Sequence, residues 1–138
     1  MAMTLSATYR PSDKERFMNP KQLEYFRIKL VQWRTELRDE SNQTLVHLQE
    51  ESGQARDFAD RASTETDRSI ELRTRDRERK LISKIDAALR RVDEGFYGFC
   101  EATGEPITLR RLEARPIATL SIDAQERHER REKVYRDE

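Results

Sequence analysis

The chain has 138 residues, of which 35% are hydrophobic and 39% charged, with 27 basic and 27 acidic side chains and no net charge. So small an apolar share does not fill a compact globule of this length, and it excludes a sandwich or barrel in favour of long, largely solvated helices. Charge balance argues against a general duplex-DNA binder, and the absence of a long apolar run argues against a membrane span or signal-peptide core. Four Gly, four Pro and a single Cys complete the outline. Long helices are favoured, an intrachain disulfide framework is excluded, and a cytoplasmic protein is expected.

Residues 1–19 are mixed and polar, and read as an arm that packs on a globular lobe. The first strong signal is Met18-Asn19-Pro20. Asn is a good N-cap, Pro suits the first helical position, and Met18 with Leu23 has the spacing of a hydrophobic staple. Leu23, Phe26, Leu30, Trp33 and Leu37 then recur at steps of three and four, a coiled-coil seam. The seam weakens at Ser41 and Thr44 and resumes at Leu45 and Leu48. A helix is predicted from about 20 to about 51, ending near Ser52-Gly53.

Residues 53–62 hold the only glycine between two helical stretches and are predicted to form the tip of a hairpin. The second stretch, about 63 to 94, has a seam of Ile70, Leu81, Ile85, Ala88 and Val92, with Thr74 and Arg77 at seam-like positions. Gly95 follows as a C′ glycine should. Residues 20–94 are thus expected to make an antiparallel coiled-coil finger about 45 Å long, at 1.5 Å per residue. Its stripe is wide at the base and thin and polar at the tip.

Residues 95–138 change character. Phe96, Tyr97 and Phe99 bring aromatics, Thr103-Gly104-Glu105-Pro106 reads as a turn, and Ile107 with Leu109 reads as the return strand of a small hairpin. Ser121 offers an N-cap, with Asp123 in the first turn, for a helix reaching about 135. The fold class is therefore mainly α: a long antiparallel hairpin plus a small lobe.

Several groups carry possible chemistry. Asp57 and Asp60 at the tip suit a metal or a basic partner, or simply solvation and helix capping. The run Arg73-Thr74-Arg75-Asp76-Arg77-Glu78-Arg79-Lys80 suits an acidic surface, or a solvated face with i,i+4 pairs such as Asp76 with Lys80. Arg110, Arg111 and Arg115 suit phosphates, or ion pairing with Glu113 or the base of the finger. Lys84 could join that cluster and Leu81, one turn earlier, could wall the same site. Cys100 has no second Cys at a ligand spacing, so it reads as a small core residue rather than a zinc ligand or reactive thiol. Nothing in the sequence argues for catalysis.

Taken together, Asp57-x-x-Asp60-x-Ala62, Leu72-Arg73-x-Arg75-Asp76-Arg77-Glu78-Arg79-Lys80-Leu81-Ile82, Gly98-Phe99-Cys100-Glu101 and Arg110 to Pro116 resemble the DksA family of bacterial transcription regulators, from about Met18 to about Lys133. The resemblance implies a factor that binds RNA polymerase rather than promoter DNA. Such factors insert the coiled coil through the secondary channel and act with ppGpp in the stringent response. It implies that Asp57, Asp60 and Ala62 act near the polymerase active centre and that Arg77 contacts the channel rim. Leu81, Lys84 and Arg115 match positions that line a ppGpp site. The sequence departs from the family twice. The usual four zinc cysteines are reduced to Cys100, with Thr103, Ser121 and Ala124 at the other three positions. A lobe without zinc is therefore expected, held by Phe96, Tyr97, Phe99, Ile107, Leu109, Leu112 and the last helix. Gln125 stands where a ppGpp-binding lysine is usual, so ppGpp coupling is expected to weaken unless neighbouring Arg127 compensates. The expected protein is a monomer without stably bound cofactor. A Gre-like transcript-cleavage factor, a coiled-coil adaptor that never meets polymerase, and a thiol sensor through Cys100 are the competing readings.

Overall fold

A computed structural model describes the backbone of residues 4–51 and 58–137, and the side chains of these residues except at 48, 51, 58–64, 136 and 137. Four helices occur in order: α1 (Pro20–Glu51), α2 (Phe58–Glu94), α3 (Leu109–Ala114) and α4 (Ile122–Asp137). The chain divides into two compact units, Met1–Leu30 with Ala87–Glu138, and Val31–Asp86.

The first unit begins with the capping chemistry of α1. Asn19 Oδ1 accepts the Gln22 N–H at 2.9 Å, and Gln22 Oε1 accepts the Met18 N–H at 2.8 Å. Gln22 Nε2 also donates to the Ser12 carbonyl at 3.2 Å, which ties the N-terminal segment to the helix and explains why a glutamine is fully buried. Phe17 meets Phe99 edge-on, with ring centroids 5.4 Å apart.

The end of α2 closes on a Schellman motif. Gly95 takes φ +85, its N–H reaches the Val92 carbonyl, and the Phe96 N–H reaches the Arg91 carbonyl at 2.9 Å. Around it the core of this unit gathers Phe26, Leu30, Ala88, Tyr97, Cys100, Ile107, Leu109, Leu112 and Ala124. Tyr97 is buried and donates to the Pro116 carbonyl at 2.7 Å, and its ring lies 5.6 Å from that of Phe26. Phe96, expected in this core, is instead 64% exposed, and the core place beside the turn is taken by Tyr97.

The expected return strand is also corrected. Phe99 and Pro106 form a single antiparallel bridge, and the described residues contain no strand. Leu109 opens α3 instead, because Thr108 caps it: Thr108 Oγ1 accepts the Arg111 N–H at 3.2 Å. Ser121 caps α4 as its sequence suggests, accepting the Ala124 N–H at 3.2 Å.

In the second unit α1 and α2 pair antiparallel. Arg34 bridges Asp86 at 2.8 Å, Arg75 reaches Ser41 at 3.4 Å, and His47 bridges Glu71 at 3.1 Å. Leu37, Ser41, Glu78 and Ile85 are buried here. The distal register of α2 therefore differs from the apolar reading by one residue. Ile70 is 54% exposed and Arg77 is exposed, while Glu71, Arg75 and Glu78 turn inward. The reason lies across the pair. Ser41 and His47 offer polar partners on α1 to Arg75 and Glu71, bonds that Ile70 would not make, whereas Glu78 is buried with Oε2 unpartnered among the described residues. On the outer face Asp76 lies 3.8 Å from Arg79 rather than pairing with Lys80.

Candidate functional site

Asp57 lies outside the described residues. α2 begins at Phe58, five residues before the expected start, so Asp60 and Ala62 are helical rather than loop residues; their side chains lie outside the description. Ala59, Arg61 and Ala62 are good helix formers and no Gly or Pro follows Gly53 in this stretch, which favours the earlier start. On the same helix Arg77 and Lys84 are exposed and Leu81 is half-buried. Leu81 and Lys84 lie three residues apart, so they occupy one helix face.

In the other unit Arg115 is the exposed C-cap of α3, its N–H bonded to the Arg111 carbonyl at 2.7 Å. The three arginines of its segment differ in their employment. Arg111 Nε donates to the Leu120 carbonyl at 2.9 Å and so serves the fold, whereas Arg110 and Arg115 are exposed. Glu113 does not pair with them. Lys29 Nζ meets its carboxylate at 2.6 Å and its backbone carbonyl at 2.9 Å. Burial would raise the Glu113 carboxyl, but hydrogen bonds from Lys29 and Tyr25 outweigh it and hold the group below its usual range. Burial, with Glu113 as acceptor, pushes the Tyr25 phenol up to about 12. This Tyr25–Lys29–Glu113 cluster is not evident in sequence, because Glu113 lies 84 residues from Lys29 and meets it only through the fold.

Gln125 donates to Glu129 at 3.0 Å. Arg127 lies on a different side of the helix. Two residues turn a helix by about 200°, and Arg127 lines a cleft with Ala102, Thr103 and Leu120.

The degenerate zinc positions form a coherent structure of another kind. Cys100 is buried in a tight loop: its N–H donates to the Glu105 carbonyl at 2.8 Å and its carbonyl accepts from the Gly104 N–H at 2.8 Å. Burial alone would raise the thiol. Hydrogen bonds from the Thr103 hydroxyl and from the backbone N–H groups of Ser121, Thr103 and Ala102 reverse this and bring it down to about 6. Thr103 and Ser121 hydroxyls are further engaged with the Glu105 and Ala124 N–H groups, at 3.2 Å each, and Ala124 has no donor atom. One thiolate, two committed hydroxyls and a methyl group do not fit a tetrahedral zinc ion, which takes four Cys or His ligands in structural sites. No group of three His, Cys, Asp or Glu side chains is placed to hold a metal among the described residues.

Comparison with known proteins agrees with this anatomy. Residues 22–92 match the DnaK suppressor protein DksA, N-terminal domain, and residues 95–130 match the prokaryotic dksA/traR C4-type zinc finger. The second match is to a four-cysteine class, yet this chain has one cysteine. The RNA polymerase-binding transcription factor DksA of Caulobacter vibrioides is 66% identical over 130 residues, 94% of this chain and 92% of that protein. The protein of the same name from Escherichia coli strain K12 is 48% identical over 125 residues, 91% of this chain and 83% of that one. Among solved structures, the transcription factor DksA2 from Pseudomonas aeruginosa superposes with a TM-score of 0.79 at 45% identity, covering 85% of this chain and 90% of that one. With a paired α1–α2 unit, a lobe built on a one-cysteine loop and relatives matched over nearly their whole length, the chain belongs to the DksA family.

Proposed function

We propose that this protein is a transcription regulator that binds RNA polymerase through the secondary channel and modulates initiation together with ppGpp, without zinc. The observation that carries the reading is the 66% identity, over 94% of the chain, to a protein named as an RNA polymerase-binding transcription factor. The protein acts in the cytoplasm as a monomer, has no enzymatic activity of its own and reads no DNA sequence. No helix among the described residues is long and apolar enough to cross a membrane.

In this reading Asp57, Asp60 and Ala62 act near the polymerase active centre after docking, and exposed Arg77 contacts the acidic rim of the channel. Leu81, Lys84 and Arg115, with Gln125 in place of a cation, contribute to ppGpp binding with the polymerase. Lys84 and Arg115 are both exposed, which leaves their charges available to phosphate. Gln125 retains a donor but no charge, so ppGpp strengthens regulation less than a lysine there would allow.

In vitro transcription from a ribosomal RNA promoter, with and without ppGpp, tests the reading. Inhibition that deepens with ppGpp is expected; no effect of the protein on the polymerase would refute regulation, and no added effect of ppGpp would refute the shared effector site. Arg77→Ala is expected to weaken docking, whereas Asp60→Asn leaves affinity nearly intact and abolishes regulation. Equal loss of affinity in competition binding would sink that division of roles. Stoichiometric zinc in elemental analysis of the purified protein would refute the zinc-free lobe.

A further inference from the structure

Helix α4 is rich in both charges, and most of its acids are employed along the helix. Glu132 meets His128 at 3.1 Å, Glu126 lies 3.9 Å from Arg130, and Glu129 accepts from Gln125. Arg127 and Arg131 are different. Neither has an ion pair with a carboxylate among the described residues, and the one hydrogen bond of the Arg127 side chain is a long contact of 3.5 Å to the Asp123 carbonyl. They stand at i and i+4, an arrangement of like charges that works against a helix. Both face a cleft of about 240 Å³, with His128 beside them and Ala102, Thr103 and Leu120 forming the opposite wall. Every titratable side chain of that lining is basic.

We infer that this cleft is a binding site for a small phosphorylated molecule, held by Arg127 and Arg131 through charge-assisted hydrogen bonds, with His128 lining the site beside them. Two guanidinium groups one helical turn apart match the charge and the several oxygens of a phosphoryl group, and their fixed donor forks suit it better than a spherical anion. A polyanion such as nucleic acid fits poorly. The cleft is a local concavity, Glu126, Glu129 and Glu132 share the helix, and the chain has no net positive charge to attract an extended phosphate backbone. Gln125, proposed for ppGpp with polymerase, is not among the residues lining the cleft, and binding there requires no polymerase.

Titration of the full-length chain with inorganic pyrophosphate, followed residue by residue by amide NMR, tests this. Saturable shifts centred on 102–103, 120 and 124–131 are expected. Arg127→Gln and Arg131→Gln should each weaken binding about tenfold or more, the loss expected for a charged hydrogen bond. Arg130→Gln, on the same helix but outside the cleft, should bind as the parent does. Because each cleft variant removes a like-charge contact, α4 should persist, which helical circular dichroism verifies. If one variant unfolds, Arg131→Lys, which keeps the charge and loses the fork, should still bind more weakly than the parent. Absence of saturation at millimolar pyrophosphate, equal shifts from sodium chloride at matched ionic strength, or parental affinity in both glutamine variants would overturn the proposal.

Discussion

Glu78 offers a sharp test of how the Val31–Asp86 unit is held together. It is only 8% exposed, and its Oε2 has no hydrogen-bond partner among the described residues. Burial, and then the nearby Glu40 charge, raise its carboxyl above the ordinary value. An acid whose folded pKa is raised binds more protons when folded. Its favourable contribution is therefore present at low pH and lost as pH rises through the folded value, so at neutral pH ionised Glu78 opposes folding. Glu78→Leu removes that cost and places an apolar group at a seam position. Burying a leucine contributes about 1.5–3 kcal/mol, and imperfect fit at a site shaped for glutamate takes back about half, leaving a gain of about 1–2 kcal/mol. For a chain of this length that is a rise in Tm of about 3–8 °C. Thermal unfolding by circular dichroism should show the gain at pH 7 and a smaller one near pH 4, while Glu78→Gln should flatten the wild-type pH dependence in that range. A loss of 1 kcal/mol or more in Glu78→Leu at pH 7 would mean that the carboxylate is satisfied and stabilising, and the reasoning would fail.

Tyr97→Phe keeps the ring and orphans the Pro116 carbonyl, so it should cost about 1–2 kcal/mol in denaturant unfolding. Because burial raises the Tyr97 phenol, its stabilising share is full below pH 10 and lost above it, so Tyr97→Phe should also soften the alkaline loss of stability. The Cys100 thiolate, followed by its absorbance near 240 nm, should titrate near pH 6, and Thr103→Val should move the midpoint upward; a midpoint near 9 in the parent would refute the hydrogen-bonded loop. Gly98→Ala should cost about 1–3 kcal/mol, since Gly98 has φ +90 and a Cβ there would come within 3.0 Å of Met18 Cγ. Unchanged stability would mean that the backbone relaxes freely.

The helices of this fold are written plainly in the chain, because each carries its own local signal. Asn19-Pro20 opens α1, Gly95 closes α2, Ser121 caps α4, and the apolar steps from Phe26 to Leu37 and from Ile85 to Val92 set the paired faces. Gln22 stands outside the apolar pattern, and its burial is explained only by its bonds to the Met18 N–H and the Ser12 carbonyl. Sequence fails where the stabilising partner is distant. The inward turn of Arg75 and Glu71 depends on Ser41 and His47 across the pair, and periodicity of apolar residues instead favours Ile70. Leu109 looks like a strand residue until Thr108 is seen to cap a helix. The candidate effector residues follow from motif resemblance, whereas the basic cleft on α4 becomes visible only when the turn at 102–103 is folded against Arg127 and Arg131.

The proposed zinc-free lobe needs another tie in place of the metal. A zinc ion bound by four cysteines fixes two loop segments and stabilises the fold through its binding energy. Here the same two segments, near 100–103 and 121–124, converge on one sulfur, and the tie is made by N–H groups of Ala102, Thr103 and Ser121 with the Thr103 hydroxyl. Further direct ties join the Glu101 N–H to the Thr119 carbonyl at 2.8 Å and the Ile107 N–H to the Gly98 carbonyl at 2.7 Å. Ala124 occupies a ligand position yet is buried, so that position now contributes apolar contact. Hydrogen bonds to one thiolate are individually weaker than metal bonds, so the remainder must come from the core of Phe26, Tyr97, Ile107 and Leu112, all at most 2% exposed. The lobe should therefore be insensitive to strong chelators and sensitive to truncation of that core. Leu112→Ala should cost about 2–5 kcal/mol while EDTA changes Tm by nothing measurable; the opposite pattern would show that a metal holds the loop after all.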